Sequence, residues 1–546
     1  MKSPVALLLL LLVLVAPGAP GAEPTPVPLF DGLGSYSRTV STASPEAQRY
    51  FDQGLAFMYA FNHDEAIRAF TRAAELDPDC AMAHWGVAIA NGPHINNTAV
   101  PPERAAAAWA ALGRARAASA GASAVERALI EALASRYADP QPADRAPLER
   151  AYAEAMRGVW QTFPDDPDVG ALFAESLADL RPWDLWTPEG QPQPGTEELI
   201  VTLDRVIALQ PAHPLANHLY IHAVEASPEP GRADAAADRL RELQPGLGHM
   251  VHMPSHIDVR RGRWQQAIEA NARAIEADRR YAARAPEQQF YRLYMAHNHH
   301  MLAYAAMMNG QSRLALQTMR EMVADIPADF FRANPWADGM MAMPLEVMMR
   351  FGQWQAILAE PEFPEYAPFS RALRHYARAV ALAATDDMDG ARREQAAFQA
   401  ARGAVPDTTT FGNNTAAALL DVAERLMGGE LLYRSGQVEA GLAMLADAVT
   451  HEDRLRYDEP PGWIQPVRHP YGAALLQTGR TAAAEAVFRE DQRRQPGNGW
   501  GLYGLMRALE LQGRQEEADA VELEFDRVWA KADIRIKSPC LCLPGV

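Results

Sequence analysis

Apolar residues recur at intervals of three and four along most of this chain, and strict alternation is rare. Residues three and four apart share one face of a helix, so the pattern predicts amphipathic helices rather than strands. Ala, Leu, Glu, Arg and Gln fill the periodic stretches, and Gly or Pro interrupts them. One arrangement returns. Phe61-Asn62-His63-Asp64-Glu65-Ala66-Ile67-Arg68-Ala69-Phe70, closing with Ala73 and Leu76-Asp77-Pro78, reads as the second helix of a helical hairpin. The same order follows Gly262 (Ala267, Ala274, Asp278), Gly310 (Ala315, Met319, Pro327) and Gly436 (Leu445, Ala448). It returns after Gly479 (Ala484, Phe488, Pro496) and Gly513 (Ala518). Regions 100–200 and 360–410 are helical in pattern but match the unit poorly, and Pro182 to Pro194 reads as a loop.

With small residues at fixed offsets and a closing Pro, the unit resembles the tetratricopeptide repeat, a helix–turn–helix of about 34 residues. The resemblance covers residues 46–530 with gaps. It implies an all-α, right-handed superhelical solenoid, because each hairpin leaves an apolar face that only its neighbours can bury. It also implies that one face of each first helix lines a concave groove. We divide the chain into a signal peptide at 1–22, a Pro-rich leader at 23–45, arrays at 46–330 and 331–530, and a tail at 531–546.

Lys2, the apolar run Val5–Val15 and the small residues and prolines up to Ala22 have the order of a secretory signal peptide. The run is too short to span a bilayer, so the expectation is a periplasmic protein with no membrane span once processed. Net charge of −18 repels phosphate backbones and argues against nucleic acid as a partner. Cys80, Cys540 and Cys542 are too few for a disulfide framework, and they read as unpaired or tail cysteines, since a bridge within the C-x-C pair would be strained.

The histidines change the picture. His218 and His222 are four apart, as are His252 and His256, and the second pair follows the first by 34 residues. With hairpins starting at Pro214, Gly248 and Ala296, positions 2, 5 and 9 of the first helix hold seven histidines in nine sites. These are His218, His222, His249, His252, His256, His297 and His300; the other two sites are Leu215 and Tyr304. Random placement would give about a quarter of one. Positions 2, 5 and 9 share one helical face, and neighbouring helices lie roughly 8–10 Å apart, so the rings can converge.

Neutral imidazoles at i and i+4 suit a transition-metal ion, and nitrogen ligands without thiolate fit zinc, copper, nickel or iron equally. Seven exceed one shell, which points to two ions or to one ion with orienting histidines. Glu225, on the same stripe as His222, is the candidate base if metal-bound water is the nucleophile; redox chemistry is the other catalytic option. A different class remains open: a non-catalytic adaptor holding a peptide or protein segment in the groove. His94 can approach the groove from its loop, Glu346 can supply an outer carboxylate, and His469 is a distant candidate. His84 and His299 are expected to pack between helices, and His63, His213 and His451 to lie in loops or at the surface. The Met340–Met349 cluster reads as core filler, with copper handling the alternative.

Overall fold

The computed structural model describes residues 27–285 and 288–543; the expected signal peptide lies outside them. Helices pack chiefly against their sequence neighbours, from Pro45–Tyr59 on His63–Leu76 to Gly499–Glu510 on Gln515–Trp529. The only strands among the described residues are Thr410–Phe411 and Asn414–Thr415, a short antiparallel hairpin. This is the all-α repeat expected. None of the described helices is long and apolar enough to cross a membrane.

The small residues of the unit do what the pattern implied. Ala66, Ala69, Ala73, Ala267, Ala274, Ala315, Leu445, Ala448 and Ala484 are fully buried between paired helices. Phe70 fills the space between Gly54 and Gly86, where an added Cβ would lie 2.6 and 2.5 Å from its ring. Phe488 fits against Gly472 and Gly504 in the same way, at 2.3 Å from each. Helices held this close turn the apolar stripe of each hairpin into continuous core. One core runs from Val40 to Tyr294 and a second from Val259 to Leu543, and they meet around the helices that carry the histidines.

The turn inside eight of the hairpins is a left-handed cap. After the first helix, one residue takes positive φ and the next amide donates to a carbonyl five residues back. Arg263 N donates to Asp258 O, Gln311 to Ala306, Gln353 to Met348, Gln437 to Leu432 and Arg480 to Leu475. Glycine supplies the left-handed residue at 262, 310, 352, 436, 479 and 513 because it has no Cβ to clash. Asp386 replaces it in one hairpin and Phe61 in another, at φ 57°. Phe61 is 2% exposed, so its ring is held in this conformation by what surrounds it.

Phe61 therefore separates two effects. Truncation to Ala or to Gly removes the same ring packing, but only Gly also relieves the left-handed backbone. Phe61→Gly should be more stable than Phe61→Ala by about 1 kcal/mol in urea unfolding. The reverse order would show that the turn is not left-handed at this position.

Candidate metal centre

The first helices of three hairpins supply the site. Pro214–Val224 carries His218 and His222, and Arg292–Met308 carries His297 and His300. Between them, one first helix is divided into Gly248–His252 and Pro254–Arg260. Met253 at the junction keeps helical dihedrals, but Pro254 has no N–H to give to the preceding turn, and His256 N donates to Met253 O instead. His252 and His256 stand on either side of this interruption, with their Nε2 atoms 2.7 Å apart. Gly248 opens the helix where a Cβ would fall 2.1 Å from Asp278 Oδ1; Asp278 in turn accepts from Tyr291 OH and Asn298 Nδ2.

Six of the seven rings form two triads. In His218–His222–His249 and in His252–His256–His297, one ring nitrogen from each residue lies within 4.8 Å of the others. Neither group includes His300, whose ring lies 6.3 Å from Phe411 and whose Nε2 has no hydrogen-bond partner. His218, His249, His252 and His256 are all at most 1% exposed. Glu225 joins the triads: His222 Nδ1–H donates to its Oε1 at 2.8 Å and His256 Nδ1–H to its Oε2 at 2.5 Å. Burial would raise the Glu225 pKa, but His256 and His222 outweigh it and hold the carboxyl at about 2. As a carboxylate with both oxygens engaged, Glu225 orients two imidazoles.

Oxygen acceptors fix two more tautomers. His218 Nδ1–H donates to the Tyr59 carbonyl at 2.8 Å. His252 Nδ1–H donates to Asn271 Oδ1 at 2.6 Å, and the Asn271 amide is held the right way round because its Nδ2 donates to Ala267 O. The Nε2 atoms of His218, His222, His252 and His256 are thus left facing inward with free lone pairs. His249 Nε2 lies 3.1 Å from His218 Nε2, a contact that one proton on His249 satisfies. The 2.7 Å contact between His252 and His256 is different. Both Nδ1 hydrogens are already committed, so two lone pairs face each other unless a cation or an extra proton lies there.

Phe61 roofs the first triad. Its ring centroid lies 4.4 Å from that of His218, 5.8 Å from His249 and 6.3 Å from His222, and 4.7 Å from His94 on the outer side. His63, expected in a loop or at the surface, is instead buried against His94 at 4.4 Å. His213 is buried as well: its Nδ1 caps the Pro214–Val224 helix and its Nε2 lies 3.2 Å from Asp168. His84 and His299 are buried beside the carbonyls of Pro78 and Met295. His469 takes a hydrogen bond from Arg350 and faces Asp491, while Glu346 accepts from Gln465. Met343, Met348 and Met349 pack in the second core. Asn271 was missed in the sequence, although it lies four residues after Ala267 on the packed face of its helix, where a polar side chain needs a reason.

A cavity of about 400 Å³ opens beside His222 and Glu225, walled by Trp183, Trp186, Arg260 and Tyr457 among others. Arg260 ties it to the site by donating to the Glu225 and Ser227 carbonyls.

These hairpins make the chain an all-α helical-repeat protein. No family model and no curated protein matches it. Solved structures similar to it include a human IFIT1 dimer with m7Gppp-AAAA, 12% identical, covering 90% of this chain and 91% of that one, at a TM-score of 0.33. The APC/C hetero-tetramer Cut9-Hcn1 is 10% identical over 88% of this chain and 76% of that one, at 0.32. Yeast Tom70 is 12% identical over 90% and 92%, at 0.29. At such values the likeness says nothing about the histidines.

Burial sets the acid response. It holds His300 at about 4, and burial with nearby arginines holds His63 at about 3; His218, His249, His252 and His297 are also well below the ordinary value. An unfolded chain takes up protons on these groups near pH 6.5, whereas the folded chain does not. Their neutral forms therefore leave stability intact above about pH 6.5, and it is lost as pH falls toward the folded values. His256 runs the other way: the Glu225 carboxylate raises it despite burial, so its contribution is lost as pH rises. Buried carboxyls raised to about 7 or 8, among them Glu346, Glu430, Glu452 and Asp458, oppose the histidines over the same range. In chelator-treated protein, the difference in unfolding free energy between wild type and His300→Asn should change by up to about 1.4 kcal/mol per pH unit between about pH 6.5 and 4, with the wild type losing more as pH falls. The same pH dependence in both proteins would contradict the burial of a neutral imidazole at His300.

Proposed function

We propose that this chain, exported as its Val5–Val15 run implies, is a transition-metal protein whose two histidine triads each hold one ion. The observation that carries the reading is the 2.7 Å approach of His252 Nε2 to His256 Nε2 with both Nδ1 hydrogens given to Asn271 and Glu225. A divalent ion such as zinc, copper or iron relieves that repulsion by accepting both lone pairs, at about 2.0–2.1 Å for zinc. Carboxylate or carbonyl acceptors behind metal-binding imidazoles fix the tautomer and raise ligand basicity, which is the place Glu225, Asn271 and the Tyr59 carbonyl take here.

Three protein nitrogens per ion leave a position for water or substrate, as in catalytic rather than structural zinc sites. The cavity beside His222 and Glu225 has the volume of a small-molecule pocket, roughly 300–1,000 Å³, which favours a small substrate over a long peptide at this place. Metal-assisted hydrolysis is the reaction class this arrangement supports, with Glu225 positioning His222 and His256.

Elemental analysis of untagged protein should find close to two ions per chain, and His252→Ala should lose about one of them while the other triad stays loaded. Protein that holds no zinc, copper, nickel or iron at neutral pH would leave an extra proton on His256 as the occupant and end the metal reading. The open position has its own readout. Cobalt(II)-substituted protein should change its visible spectrum on adding azide, and an unchanged spectrum would mean saturated, structural ions.

A further inference from the structure

The C-terminal tail folds back onto the second core and is fastened there. Asp533 accepts from the amides of Ser312 and Arg313 and from Ser312 Oγ, and Arg434 donates to the Cys542 carbonyl. This places Cys540 and Cys542, expected to be unpaired but joined as a disulfide, against the helix Ala416–Arg434, next to Glu430. The two sulfurs and a Glu430 oxygen lie within 4.8 Å of one another. Glu430 is 2% exposed, and its Oε2 has no hydrogen-bond partner. A buried carboxyl oxygen without a hydrogen bond is costly, and Arg434, which acts on Glu430 through its charge, gives its hydrogen bond to the tail. The small cavity between them, about 20 Å³, is also lined by Met349 and has room for one ion or water. A bridge that spans a single residue is a poor staple, because the entropy it removes from the unfolded chain grows with loop length.

We propose that Cys540, Cys542 and Glu430 form a second, redox-gated site for a thiophilic ion, zinc or cuprous copper, distinct from the histidine triads. In the bridged form the sulfurs are unavailable to a metal. A dithiol reductant opens the site: the Cys540 Sγ–Cys542 Sγ bond breaks, two S–H bonds form, and the reductant gives up two electrons and two protons to become a disulfide. Metal binding then releases the two thiol protons and any proton on Glu430, forming two bonds to sulfur and one to oxygen. Thiolates with a thioether beside them select soft or borderline ions, in contrast to the all-nitrogen triads.

Cadmium(II) alone is the probe, because its ultraviolet thiolate charge-transfer band is silent for histidine ligands. The reduced full-length protein should develop the band with one equivalent, and the bridged protein should not. Cys540→Ser with Cys542→Ser should abolish it, whereas Cys80→Ser, which removes the free buried thiol, should leave it. Glu430→Gln, a neutral isostere of the protonated carboxyl, should fold normally and weaken cadmium by about tenfold or more. If the double serine variant does not fold, alkylation of reduced wild-type protein decides: cadmium should slow labelling at Cys540 and Cys542 together. No band in reduced protein, unslowed labelling, or an unchanged affinity in Glu430→Gln would overturn the three-ligand site. Cadmium taken up by unloaded histidine triads adds no band, so their loading changes the equivalents needed and not the outcome.

Discussion

The centre depends on one buried carboxylate. Glu225 lies just after the Pro214–Val224 helix, yet it accepts from His222 of its own hairpin and from His256 of the next. A carboxylate this deep is tolerable only because two N–H donors face it, and those donors are oriented only because the carboxylate is there. The same contact fixes the relative rotation of the two hairpins and turns both Nε2 atoms inward. Removing it would leave two imidazoles free to change tautomer, and the converging lone pairs would no longer be specified.

The fold makes this possible by returning to the histidine-bearing helices from both ends of the chain. The leader returns to the middle of the chain, with Gly246 N donating to Gly32 O. The C-terminal hairpins return to the same region, where Trp264 Nε1 donates to Pro496 O and the loop carrying Tyr457 lies beside Glu225. An open groove would expose the rings to water and let each satisfy itself there. Enclosed, they have only one another, a few oxygen acceptors and whatever cation enters. The low dielectric that depresses their protonation is also what makes an unfilled pair of lone pairs costly.

Much of this was legible in the residues. Period, punctuation and the alanines at fixed offsets specify helical hairpins, and the 34-residue recurrence of His-x-x-x-His puts the rings on one face of successive first helices. His300 shows the limit. It has the same repeat position as His218 and His252, yet it turns toward Phe411, because position on a helix gives direction only to within the curvature of the stack. His63 and His213 show a second limit: residues in short inter-helix segments look exposed in a sequence, but the closed superhelix buries them.

The sequence alone therefore determined the secondary structure, the repeat and the set of candidate ligands, since these follow from local sterics and from periodicity within a helix. Tertiary structure decided which nitrogens meet. The Asn271 and Tyr59 acceptors that choose tautomers, the Glu225 carboxylate shared by two hairpins, and the Cys540–Cys542–Glu430 grouping all join residues whose proximity is set by inter-helix packing or chain return. Local rules fix which way a side chain leaves its own backbone; what it finds there is fixed by how separate helices pack.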